Sequence, residues 1–478
     1  MHAAAASPAV IETSLGRLKG MRAGDTLAFL GVPFAEPPLG PLRFLPPRPA
    51  RPWSGVRTAD TYAPVQLRRG RISEDCLYLN IWMPASPGPH PVLFWIYGGG
   101  NTVGATGGIA DGSHFARNGV ICVTPAYRVG ALGFLDLSAE LGDRYAGSGN
   151  NGLLDQLLAL QWIRRNIAAF GGDPDRITVG GESAGAKDTC ALMALPQAAG
   201  LFHQAIVESG SGQTVHTRES ARELTREFLR CAGLRPSDVS HLRTLSVPRL
   251  LAAQLALEEQ TSEFPFRVTV DGIVLERTPL EYLRSGSSRH LRLLAGSNRD
   301  ESTQFVRGAE LVEPIRQSEM QNMSIDKAPQ MDARYKEIFP HLTAAERKIR
   351  LLTAEEYWIP TLRIAEAHVG NGNEAWFYRY DRPLVYGPVK GKVPHGSELR
   401  LVWDDEMQYP DPSVHSLRQA MHAAWVDFIS GREPVLASAP RWPRFNLTGR
   451  PVMVIQDQSS VVLDPDTKER HLWDGWPS

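Results

Sequence analysis

The sequence predicts an α/β fold with a large, mostly parallel central sheet flanked by helices, and three observations carry that expectation. Continuous apolar runs at residues 91–97 and 120–126 read as strands buried on both faces. Apolar residues at Leu153, Leu154, Leu157, Leu160, Ile163, Ile167 and Phe170 follow a helical period that stops at Gly171-Gly172. Beyond that stop, the β-branched run Ile177-Thr178-Val179 leads through Gly181-Glu182-Ser183-Ala184-Gly185 into an Ala/Leu-rich helical stretch over residues 184–195. Strand, helix, strand and helix in succession require a sheet covered on both faces.

Taken in order, residues 10–34 alternate apolar and polar around glycines and read as short antiparallel strands. Residues 33–52 are rich in proline and arginine, so regular structure is excluded, while Phe34, Phe44 and Trp53 mark a loop packed against the body. A strand is expected over 76–83, and the run at 91–97 ends in Gly98-Gly99-Gly100, a backbone able to turn its N–H groups toward an oxyanion or simply to make a tight turn. Further strands are expected at 202–209, 266–275, 291–295 and 376–380. A polar helical stretch over 217–259 reads as an inserted cap, and more helices fill 311–368. The chain closes on a helix at 417–429 and a strand at 452–462. No repeat or low-complexity linker divides the 478 residues, so a single domain over 1–478, with helical insertions near 217–259 and 311–368, is expected.

Composition narrows the function classes. A net charge of -1, with 42% hydrophobic and 22% charged residues, gives no basic footprint for nucleic acid or for an anionic membrane surface. No window approaches a membrane span, and Met1 to Pro8 has neither a basic leader nor a long apolar core, so a soluble, cytoplasmic protein is expected. Cys76, Cys122, Cys190 and Cys231 lack metal-ligand spacing and read as small core hydrophobes; no metal and no cofactor are expected.

The segment around Ser183 has the outline of a nucleophile elbow, in which glycines remove the side chains that would collide at a sharp strand-to-helix bend. A serine hydroxyl at neutral pH needs a base within hydrogen-bond reach and a carboxylate to orient that base. Among the histidines after Ser183, Pro394-His395-Gly396 is the best placed, in a glycine-containing loop after a strand. Asp300 and Glu301 follow the strand near 291–295; as neighbours their side chains point apart, and spacing does not choose between them.

The chain resembles the type B carboxylesterases, a family of α/β-hydrolases that includes para-nitrobenzyl esterases and cholinesterases. The resemblance rests on Phe29-Leu30-Gly31-Val32-Pro33-Phe34-Ala35-Glu36-Pro37-Pro38, Ser73-Glu74-Asp75-Cys76-Leu77-Tyr78-Leu79-Asn80, Tyr97-Gly98-Gly99-Gly100, Tyr127-Arg128-Val129-Gly130-Ala131-Leu132-Gly133-Phe134, Asn166-Ile167-Ala168-Ala169-Phe170-Gly171-Gly172-Asp173-Pro174 and the unaltered Gly181-Glu182-Ser183-Ala184-Gly185. It implies an α/β-hydrolase fold and a serine carboxylic-ester hydrolase, with Ser183 as nucleophile, Glu301 as acid and His395 as base. It also implies an oxyanion hole from the N–H groups of Gly99, Gly100 and Ala184, and a structural ion pair between Arg43 and Glu74. The partner is then a small-molecule ester; the oligomeric state, monomer or dimer, is left open.

Several positions depart from the family. The cysteine that pairs with the one matching Cys76 in secreted members has no counterpart in the stretch from Tyr62 to Leu67, and the loop that carries the choline-site tryptophan of cholinesterases is short, which fits a bacterial-type intracellular enzyme. Asn101 replaces the usual aromatic after the triple glycine, Gly180 a frequent phenylalanine, and Lys187-Asp188 a small or apolar residue and a serine. Lys187 is expected either to join a compensating ion pair or to bind an anionic acyl group, and Asn101, Glu182, Tyr357 and Trp358 are further candidate substrate contacts. Two readings compete with ester hydrolysis: cleavage of amides, carbamates or thioesters by the same residues, and a catalytically silent binding protein, against which the retained triad argues.

Overall fold

The computed structural model describes residues 9–63, 73–104, 111–286, 288, 290–306, 308–311, 313–405, 412–437 and 439–476. The N-terminal residues 1–8 and the segment 64–67, on which the expectations about a leader and an upstream cysteine rest, lie outside the described residues.

An eleven-stranded sheet forms the centre. Across it the strands run Ser460–Leu463, Pro451–Ile455, Ala375–Tyr380, Arg292–Asn298, Gln204–Glu208, Gly172–Glu182, His90–Ile96, Ile121–Pro125, Tyr78–Pro84, Thr26–Pro33 and Met21–Ala23. From Pro451–Ile455 to Ile121–Pro125 every neighbouring pair is parallel, and the outer strands pair antiparallel. The expected mostly parallel sheet is therefore present.

Its central strands bury both faces, as their unbroken apolar sequences require. In His90–Ile96, Val92, Phe94 and Ile96 enter one core cluster, whereas Leu93 and Trp95 enter a second on the opposite face. The first cluster is covered by the helix Asn151–Asn166 and by the helix Ala184–Ala194; the second by His415–Ile429, through Trp425 and Phe428. The loop of residues 33–52 packs as expected, with Phe34 and Phe44 fully buried. Arg43 forms a buried ion pair with Glu74 and also donates to the carbonyls of Leu242 and Leu245, pinning this loop to the helical insertion.

Two sequence expectations are corrected. Within residues 266–275 only Thr269–Val270 is strand, paired in parallel with His216–Thr217. The rest is a turn in which Asp271 Oδ1 accepts from the amides of Ile273, Val274 and Leu275, a local bonding pattern that outcompetes a sheet ladder. Residues 452–462 form two antiparallel strands rather than one, because the polar run Gln456-Asp457-Gln458-Ser459 turns, fastened by Ser459 Oγ to the Gln456 backbone. The stretches near 217–259 and 311–368 carry the helical segments Arg218–Cys231, Val247–Gln260, Ala328–Ile338, Ala344–Thr353 and Ile359–Gly370, the second and last of which run slightly past those bounds.

Candidate active site

The strand Gly172–Glu182 meets the helix Ala184–Ala194 at Ser183, whose φ of 57° and ψ of -121° lie far outside ordinary strand or helix values. The bend is possible because a Cβ at Gly181 would come within 2.5 Å of the Gly185 carbonyl carbon, and one at Gly185 within 2.0 Å of the Ile96 carbonyl oxygen. Ser183 N–H bonds the Glu208 carbonyl at 2.9 Å, and its own carbonyl receives the Lys187 N–H at 3.0 Å. The serine is thus held from the neighbouring strand and from the helix it begins. Ala184 occupies the first helical position, where the N–H has no partner within the helix and the dipole favours negative charge.

The triple glycine approaches this elbow closely: a Cβ at Gly98 would lie 3.0 Å from Ser183 Cβ. Gly99 and Gly100 have φ of 110° and 62°, and line the same cavity of about 300 Å³ as Ser183, Ala184 and His395. Asn101, the residue in place of an aromatic, lines the cavity but is largely buried, and its amide is engaged. It donates to Asp188 Oδ1 at 3.1 Å and accepts from Tyr127 Oη at 3.3 Å.

His395 Nδ1 lies 2.6 Å from Glu301 Oε2. The other Glu301 oxygen accepts from Ser209 Oγ at 2.5 Å and the Asn298 N–H at 2.6 Å, so the carboxylate is aimed from both sides. Asp300 points elsewhere, pairing with Arg299 at 3.0 Å and accepting from the Val393 N–H, and geometry thereby separates the two neighbours that spacing leaves equivalent. His395 Nε2 is 3.0 Å from Glu182 Oε1 but not aligned for a hydrogen bond. Burial by itself pushes this imidazole pKa down; the Glu182 and Glu301 carboxylates outweigh it and push it up to about 9. Burial raises Glu182 in turn, against the pull of His395.

Tyr357 and Phe305 flank the imidazole, with ring centroids 4.6 and 5.3 Å away. Lys187 Nζ pairs with Glu356 at 2.8 Å, the compensating ion pair expected of it, and both side chains line the cavity. Trp358, the other aromatic proposed from sequence, does not line this cavity. Successive residues of a helical turn face different directions, and Trp358 packs edge-on against Phe377 beneath the site.

Ser209, Asn298 and Glu398 are absent from the candidates read in the sequence. All three are buried; Glu398 accepts from Asn298 Nδ2 at 2.6 Å, and burial pushes its carboxyl up to about 8. The signal available was positional: Ser209 and Asn298 each end or follow a buried parallel strand, at the rim where α/β enzymes keep their chemistry.

Comparison with known proteins agrees with this geometry. The model of the carboxylesterase family matches residues 7–473. Para-nitrobenzyl esterase of Bacillus subtilis (strain 168) is 32% identical over 494 residues, covering 96% of this chain and 97% of that protein. Carboxylesterase 3 of Homo sapiens is also 32% identical, over 91% of this chain and 85% of that protein. Among solved structures, the Geobacillus stearothermophilus carboxylesterase EST55 at pH 6.2 superposes with a TM-score of 0.88 at 36% identity, covering 97% of this chain and 99% of that one. A structure of PNB esterase gives 0.86 at 31% identity, over 98% and 100% of the respective chains. A sheet of mostly parallel strands, a strained serine between strand and helix and a match over nearly the whole length have one reading: the chain belongs to the carboxylesterase family and is a serine ester hydrolase with the α/β-hydrolase fold.

Proposed function

We propose that this enzyme hydrolyses carboxylic esters through an acyl-enzyme on Ser183. The observation that carries the assignment is the 2.6 Å contact between Glu301 and His395 Nδ1, at a cavity that His395 and Ser183 both line. His395 Nε2 takes the Ser183 proton as Oγ bonds to the ester carbonyl carbon. The carbonyl oxygen becomes an oxyanion, stabilised by the N–H groups of Gly99, Gly100 and Ala184. The C–O bond to the alcohol then breaks, the alcohol leaving with the proton from Nε2. A water attacks the acyl-enzyme, gives its proton to Nε2, and the carboxylic acid departs as Ser183 recovers its proton. Glu301 fixes the tautomer of His395 and stabilises the imidazolium.

The substrate is a small-molecule ester; amides, carbamates and thioesters use the same groups and differ in the leaving atom. The chain is read as one catalytic domain over 1–478, with helical insertions near 217–259 and 311–368, and as a bacterial-type, cytoplasmic enzyme. A match that covers 97% of a bacterial relative supports the single-domain reading. A panel of aryl and alkyl esters, an anilide and a carbamate, assayed with wild type and Ser183→Ala, tests the mechanism. Ester turnover absent from the alanine variant is expected, and full turnover in that variant would overturn it.

A further inference from the structure

The wall of the cavity carries a guanidinium that forms no ion pair with a carboxylate among the described residues. Arg267 lines the cavity together with Ser183, Lys187 and His395. Its hydrogen bonds among the described residues go to neutral acceptors: Nη1 donates to the Gln321 carbonyl at 3.0 Å and Nη2 to Gln321 Oε1 at 2.5 Å. These use two of five N–H donors in a fork whose geometry suits a carboxylate.

The two carboxylates whose fields reach Arg267, Glu356 and Glu355, are both engaged elsewhere. Glu356 is held by Lys187 at 2.8 Å. Glu355 is buried and accepts from the amides of Gln321 and Met323, at 3.1 and 2.8 Å, and from that of Asn322, while burial pushes its carboxyl up to about 7. Lys187 and Glu356 pair with each other, so among the described residues neither carboxylate is bonded to the Arg267 guanidinium. The neighbours Phe266 and Val268 are buried and apolar, which lowers the local dielectric and strengthens attraction to an incoming anion. Burial disfavours the charged guanidinium, against the pull of Glu356 and Glu355.

Building on the ester-hydrolase reading above, we propose that Arg267 is a specificity residue that receives a carboxylate carried by the ester substrate, on either its acyl or its alcohol part. Lys187 is not that receptor, because its charge is spent on Glu356. Arg267 holds the substrate and does not take part in bond making or breaking.

The test compares two matched pairs: monomethyl glutarate against methyl valerate, with the charge on the acyl side, and 4-acetoxybenzoate against 4-methylphenyl acetate, with the charge on the alcohol side. Wild type is expected to favour the anionic member of one pair, which identifies the side. The ratio of kcat/KM for anionic over neutral substrate is expected to fall at least about tenfold in Arg267→Gln and Arg267→Met, through KM, and to be partly kept in Arg267→Lys. A ratio unchanged by these substitutions, or a wild-type preference for the neutral member of both pairs, would overturn the proposal. Should the variants not fold, inhibition of wild type replaces them: glutarate or 4-hydroxybenzoate is expected to inhibit at least about tenfold more tightly than valerate or 4-methylphenol, and equal inhibition within both pairs would overturn it. Failure of the underlying reading looks different: neutral 4-methylphenyl acetate would then not be cleaved, or would be cleaved equally by Ser183→Ala.

Discussion

Asn101 donates a hydrogen bond to Asp188 across 3.1 Å, joining the loop after the triple glycine to the helix after the serine. The sequence lists these two residues as separate departures from the family pattern; the structure makes them one substitution in two places. Gln156 Nε2 completes the cluster, donating to the other Asp188 oxygen at 2.6 Å. The network ties the oxyanion loop to the nucleophile helix in a region where Asn101 and Asp188 are both buried.

Stability should record the charge of Asp188. Burial pushes its carboxyl up to about 6, against the hydrogen bonds from Gln156 and Asn101, from an ordinary value near 3.9. A raised acid contributes stability in full below its unfolded pKa and loses it as pH rises through the folded one, here between about 4 and 6. The cost above that window is of order 3 kcal/mol. In Asp188→Asn the Gln156 amide, whose Oε1 has no partner among the described residues, can flip and accept. The variant is therefore expected to gain stability relative to wild type between pH 4.5 and 8 in urea unfolding; an identical pH dependence would refute this assignment.

The two carboxylates on His395 set the pH profile. With the imidazole pushed up to about 9 in the free enzyme, kcat/KM for a neutral ester should rise with pH to a midpoint well above the ordinary histidine value. Glu182→Gln removes an anion 3.0 Å from Nε2 and so disfavours the imidazolium. The midpoint should move down by about 1–3 units. A pH–rate profile of both enzymes checks this, and an unmoved midpoint would show that Glu182 does not act on the base.

Ser209→Ala takes one of the donors from Glu301 while leaving the Asn298 N–H and His395 in place. The expected result is about a tenfold fall in kcat/KM, with the imidazole midpoint shifted, since the carboxylate loses a charge-assisted hydrogen bond. A purely structural serine would lower the unfolding midpoint and leave the pH profile where it was.

Lys187 and Glu356 are each about 15% exposed at the side chain, which is buried enough for coupling above that of a surface pair. A double-mutant cycle of Lys187→Met and Glu356→Gln on unfolding free energy should yield about 1–2 kcal/mol. Additive single changes would mean that the pair contributes nothing.

Gly185→Ala asks whether the elbow tolerates a methyl group. The new Cβ would meet the Ile96 carbonyl at 2.0 Å, and that oxygen belongs to a central strand with no room to move. Destabilisation of about 3 kcal/mol or more is expected by thermal or urea unfolding, together with loss of turnover. Wild-type stability in this variant would mean that the strand and helix are not packed as described.

Much of the architecture was legible because it is written in local pattern. Runs such as Val92 to Ile96, apolar on both alternating faces, have no stable place but the interior of a parallel sheet, and the period from Leu153 to Phe170 with its glycine stop admits only a helix. The serine elbow was legible for the same reason, since Gly181 and Gly185 serve a bend made within five residues. What failed was also local: Asp271 and the polar run after Ile455 bond to their own backbone and break strands that composition alone would continue.

Tertiary structure alone decided everything that depends on two distant segments meeting. Asp300 and Glu301 are equivalent in sequence, and only the sheet's register, which sets Ser209 and Asn298 beside Glu301, turns one toward His395 and the other toward Arg299. The pairing of Lys187 with Glu356, the bond between Asn101 and Asp188 and the charge left on Arg267 join residues 169, 87 and 54 positions from their partners. Sequence by itself determined that a serine would stand at a strained bend on a parallel sheet, because backbone sterics and hydrophobic periodicity act over a few residues. Which charges face that serine was decided by the folded chain, because electrostatic partners are chosen by distance in space and by burial.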